Sequence, residues 1–132
     1  MRAMTIALIL SLTAGTVSAK PLLRDVPEID DTILAVGIAD EIRKNCPDIS
    51  ARVFQAYRIV TGLKSTARDL GYSDEEIDAY RKSDTEKARL KREGKTYLTQ
   101  QGVTAGDPAS YCAAGRDEIK KGGQIGALLR MN

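Results

Sequence analysis

Two cysteines, Cys46 and Cys112, are the only thiols in a chain of 132 residues that has no histidine and no tryptophan. Whether they are joined decides what this chain can fold into, and the answer begins at the N-terminus. The chain opens MRAMTIALILSLTAGTVSAKP, with Arg2, an apolar run from Ile6 to Leu12, and Val17, Ser18 and Ala19 before Lys20. A basic start, a short apolar stretch and small residues before a cut are the three parts of a secretory leader. The reading is a signal peptide over 1–19, followed by a single helical domain over 20–132. The apolar run falls short of the roughly 20 residues that span a bilayer, so no transmembrane segment is expected after cleavage. No cysteine follows the cut to carry a lipid and no twin arginine precedes it, so export is expected unfolded into the periplasm.

In an oxidising compartment two cysteines read first as a disulfide, and two allow only one pairing within the chain, Cys46 with Cys112. A loop of that size stabilises the fold by about 4 kcal/mol on the chain-entropy argument. The alternatives are an intermolecular pair, free thiols or a redox role. A redox pair lacks its C-x-x-C, a zinc site lacks histidines and further thiols, and a cysteine nucleophile lacks a histidine base.

The spacing predicts an all-α fold, a small bundle of four to five helices with one inter-helix disulfide. No segment shows the sustained alternation of a strand. A first helix is expected from Asp30 to Asn45, ending where Cys46 meets Pro47. Ile38, Ile42 and Cys46 form its buried line. Asp48 reads as the cap of a second helix with the clearest apolar stripe in the chain: Val53, Ala56, Tyr57, Val60, Leu63, Ala67 and Leu70. That helix is expected to form the centre of the core and to end at Gly71. Ser73–Glu76 and Ser83–Glu86 fit the capping box, which predicts a short helix over 74–81 and a longer one over 84–101.

The longer helix is mostly polar. Its apolar line is Leu90, Tyr97 and Leu98, with Gly94 between them, and reads as a thin contact on a solvated helix or as a partner-binding face. Asp107 and Pro108 mark the start of a last main helix that carries Cys112 in its first turns. Ile125, Leu128 and Leu129 lie on a short C-terminal helix, which either docks on the bundle or presents an apolar patch to a partner.

The rest of the composition mainly excludes. The formal charge is +2, one less once Arg2 leaves with the leader, and nucleic-acid binders show a marked basic excess; no nucleic-acid partner is expected. Without histidine, and without G-x-S-x-G, S-x-x-K or a phosphate-cradling glycine loop, acyl and phosphoryl transfer lose their usual machinery. No catalytic residue, metal site or cofactor is expected. Asp74, Glu75, Glu76 and Asp78 cluster at a helix start, where the dipole favours them, and lack calcium-loop spacing. Arg81–Lys95 holds seven basic and three acidic residues. It reads as a solvated face with an Arg89–Glu93 pair, or as a contact with anionic lipid or an acidic protein.

The phrases PLLRDVPEIDD, IADEIRKNCPDI, ARDLGYSDEEIDAY and YCAAGRDEI…GGQIGALLR, two of which hold the cysteines, resemble a family of small secreted alphaproteobacterial proteins of unknown function. The resemblance brings no catalytic residues. It implies an accessory role beside the respiratory NADH:quinone oxidoreductase, among whose subunit genes such proteins can be encoded. The expected function is therefore that of a non-catalytic exported helical protein, an accessory or assembly factor that binds an envelope complex. A periplasmic chaperone or stress protein is the alternative, and a small-ligand carrier or enzyme the third.

Overall fold

A computed structural model describes residues 19–132; the leader expected over 1–19 lies, all but Ala19, outside the described residues. The chain is mainly helical, with α1 (Pro27–Asn45), α2 (Val53–Asp69), α3 (Asp74–Lys82), α4 (Asp84–Gln100) and α5 (Pro108–Lys121). Two short strands, β1 (Ile49–Ala51) and β2 (Leu129–Met131), pair antiparallel with Ser50 opposite Arg130. The disulfide Cys46–Cys112 is present, with its Cα atoms 5.1 Å apart. It ties the residue that ends α1 to the second turn of α5.

Local chemistry accounts for most boundaries. Ser73 and Glu76 form a full capping box at α3. Ser83 accepts from the Glu76-equivalent amide of α4, that of Glu86, at 3.2 Å. Asp107 caps α5 ahead of Pro108, and Gly71 follows α2 with φ +91°. α1 starts at Pro27 rather than Asp30, because Val26 is extended and proline supplies the fixed φ of a first helical residue.

Three expectations are corrected. Asp48 does not cap α2: Ile49–Ala51 first forms a strand, and the helix starts after Arg52. Each strand has three residues, too few to show alternation, and their pairing joins segments 80 positions apart. The C-terminal segment is a 3-10 turn, Gly126–Leu128, running into β2 rather than a helix. Finally, α2 is not the centre of the core.

That centre is α1. Ala35, Ile38, Ala39 and Ile42 pack with Cys46, Ile49, Leu98, Val103, Tyr111, Cys112, Ile125, Leu128 and Leu129 in the main cluster. Ile42 and Leu129 are fully buried. Two glycines let α5 close on this core. A Cβ on Gly115 would lie 2.4 Å from Ile49 Cδ1, and one on Gly126 would lie 1.9 Å from the Glu118 carbonyl oxygen. A smaller cluster of Leu23, Ile29, Ala67 and Tyr72 covers the other end of α1. There the Tyr72 hydroxyl donates to the Pro21 carbonyl at 2.6 Å, and Lys20 reaches the Gly71 carbonyl and Glu76, each at 2.8 Å.

Candidate functional site

At about 100° per residue, the apolar stripe of α2 resolves into two arcs. Ala56, Ile59, Leu63 and Ala67 turn inward, and of α2 only Ala67 is fully buried. The other arc stays in solvent: Val53 is 69% exposed, Phe54 89%, Tyr57 69% and Val60 50%. The helix's azimuth is set at its first residue. Arg52 donates its backbone N–H to the Leu128 carbonyl at 2.8 Å and its Nε–H to the Leu129 carbonyl at 3.0 Å. With the start of α2 held to the C-terminal segment, Ala56, Ile59, Leu63 and Ala67 face inward, and Val53, Phe54, Tyr57 and Val60 face out. Monomeric proteins rarely expose a contiguous apolar patch of this kind without a use for it.

Beside this arc, α2 stands off α1 and leaves a trough. Three grooves join along it. One, of ≈ 590 Å³, lies between Val36, Val53, Ala56 and the sheet. The second, of ≈ 450 Å³, lies between Ile33 and Val36 of α1, Val60 of α2, Leu90 of α4 and, at its far end, Ile77 and Tyr80 of α3. The third, of ≈ 610 Å³, continues between Ile33, Gly37 and Lys44 of α1 and Leu90, Lys91 and Lys95 of α4. Val36 borders the first two, and Ile33, Lys87 and Leu90 the last two, so the three grooves adjoin along α1. The floor of this slot is the face of α1 between its contacts with α2 and α4.

The residues singled out from the sequence separate into two groups. Gly94 and Leu98 are buried against α1, and a Cβ on Gly94 would sit 3.4 Å from Ile38 Cγ1. Tyr97 is half-buried and donates its hydroxyl to Glu118 Oε1 at 2.5 Å. Ile125, Leu128 and Leu129 are core residues, so none of the three presents a surface patch. Gly94, Leu98 and Leu128 border the slot from buried positions, whereas Leu90 lines it as a half-buried residue. From the sequence the apolar residues of α2 read as one core stripe; the signal that they exceed one contact face is the stripe's width.

Charged residues are organised around Arg89, inside the basic stretch. Its guanidinium donates to Asp30 at 2.5 and 3.0 Å, to Glu86 at 2.7 Å and to Glu93 at 3.1 Å, and the Tyr80 hydroxyl donates to the same Asp30. Burial alone would raise the Asp30 pKa, but hydrogen bonds from Arg89 and Tyr80 and the charge of Arg89 overcome it and hold the carboxyl below its usual range. Burial, then Asp30, push the Tyr80 phenol upward, and the bond to Asp30 raises Arg89 in turn. The cluster joins α1, α3 and α4, and each member is satisfied by the others. Its geometry is that of a bracket.

Cys46, Cys112 and Asp48 lie close enough to suggest metal ligands, but the two sulfurs are bonded to each other and have no thiolate to offer. Among the described residues no helix is long and apolar enough to cross a membrane.

The architecture is thus a disulfide-stapled helical bundle with an apolar slot left open along its central helix. The chain belongs to the family of unknown function DUF5333, whose family model matches residues 21–130. No curated protein and no solved structure matches it.

Proposed function

We propose that this protein is a non-catalytic helical module that acts by binding another protein, as an exported accessory or assembly factor of an envelope complex. The observation that carries the reading is the uncovered arc Val53, Phe54, Tyr57 and Val60 on α2, of which Val53 and Val60 also border the slot on α1. Aromatic and aliphatic anchors beside a preformed apolar groove are what protein interfaces concentrate at their centres. A disulfide is consistent with an oxidising compartment, which supports the periplasm as the place of action. The family resemblance makes the respiratory NADH:quinone oxidoreductase the first complex to test.

The test is a photo-crosslinking amino acid at position 54 or 57 in the protein expressed in its own cells. One discrete adduct, lost in the Val53→Ser/Val60→Ser variant, is the expected result. Absence of any adduct overturns the reading, and a smear of many adducts transfers it to the chaperone alternative.

A further inference from the structure

Resting on that protein-binding reading, we propose that the slot receives an amphipathic helix from the partner, apolar on one stripe and acidic along its flank.

The slot has the dimensions of a helix. Its floor follows α1 from Ile33 to Lys44, about 16 Å at 1.5 Å per residue. Its walls are α2, through Val53 and Val60, and α4, through Leu90. In the middle of the floor stands Gly37, with nothing within 4 Å of where a Cβ would be, so a guest backbone can approach closely. A guest here completes a four-helix arrangement with α1, α2 and α4, and covers the exposed side of Val53 and Val60.

Charge selects the guest. Lys87, Lys91 and Lys95 line the α4 wall of the slot and recur every four residues, about 6 Å apart along the axis. Lys64 stands on the α2 wall. Among the described residues Lys64, Lys91 and Lys95 form no ion pair, and Lys87 only a loose one of 3.9 Å with Asp84. Of the carboxylates along the slot, Asp40 is paired with Arg43 and Lys44, Glu86 with Arg24 and Arg89, and Asp78 with Arg81, while Glu41 accepts only from the neutral Asn45 amide and keeps its charge among the lysines. Unpaired positive charge therefore faces the guest at helical spacing, and glutamates at i, i+4 and i+8 meet it in register. A bilayer does not fit this face, because its surface is flat and the apolar floor is recessed between two helices.

The test uses the disulfide-bonded protein, labelled for NMR, and a synthetic helix-forming peptide of about 16 residues with a leucine stripe flanked by glutamates at i, i+4 and i+8. A twin peptide carries lysines in their place. The acidic peptide should shift the amides of Ile33, Val36, Gly37, Val60 and Leu90 and bind about tenfold tighter than its twin, the sum of three exposed ion pairs. Lys91→Glu/Lys95→Glu should reverse that order, and Gly37→Leu should weaken both peptides while the circular dichroism is unchanged. Equal affinities, shifts outside the slot or no binding of the acidic peptide overturn the proposal. So does charge-dependent sedimentation with phosphatidylglycerol vesicles in place of peptide binding, which would make the ligand a membrane. If the crosslinks at α2 persist while Lys91→Glu/Lys95→Glu changes nothing, the acidic helix fails and the protein-binding reading stands.

Discussion

The Tyr97 hydroxyl hydrogen is held by Glu118 Oε1 at 2.5 Å, fastening α4 to α5. Burial first, and then the neighbouring carboxylate, push the phenol up to about 12. An unfolded chain loses the same proton near pH 10. The folded pKa is raised, so the stabilisation is fully present below about pH 10 and is lost as pH rises toward 12. Melting temperatures taken across that window should fall, and less steeply in Tyr97→Phe, which has no proton to lose; equal slopes would mean that the bond carries no linkage.

Asp30 gives the opposite sign at the acid end. Its folded pKa is depressed, so its contribution is present above the unfolded value of about 3.9 and is lost as pH falls through the lower folded value. Arg89→Met leaves a buried carboxylate facing Tyr80 without its cation, and should cost about 3–5 kcal/mol at neutral pH. Asp30→Asn/Arg89→Met should recover part of that loss. Chemical denaturation of the parent, single and double variants at pH 7 and at about pH 2, below the unfolded value, measures both effects.

Reduction of Cys46–Cys112, or Cys112→Ser, should lower stability by about 4 kcal/mol, the closure entropy of a loop of this length. Because the helices are bounded by their own caps, far-ultraviolet circular dichroism of the folded variant should stay near that of the parent.

Substitutions on α2 should be unusually mild for an apolar stripe. Val53→Ser and Phe54→Ser should each change stability by less than about 0.5 kcal/mol, whereas Ile42→Ala on α1 should cost about 2–5 kcal/mol. The reverse order in a thermal melt would restore α2 to the core.

That contrast also marks what could be read without coordinates. Caps and stops are local chemistry, so Ser73, Ser83, Asp107, Pro108 and Gly71 locate helix ends by themselves. The disulfide followed from there being only two thiols. A helical wheel, however, gives angles between residues and not the direction of the core, so the α2 stripe could be found but not oriented until Arg52 was seen pinned to Leu128 and Leu129. Asp30 and Arg89 are 59 positions apart, and Ile49 pairs with Met131 across the chain; no nearby spacing announces either relationship. In the candidate site, Leu90 and the basic stretch were visible, while the floor at Ile33, Val36 and Gly37 appears only when three helices are in place.

The pinned start and light seating of α2 give the bundle an uneven hold on its own hydrogens. Along its length α2 has a single buried residue, Ala67, against six in α1, and elements with few buried contacts open most often without global unfolding. Amide protons of α2 should therefore exchange with solvent well before those of α1. That wall of the slot is held more loosely than its floor, so the slot's width can change while the stapled core stays shut.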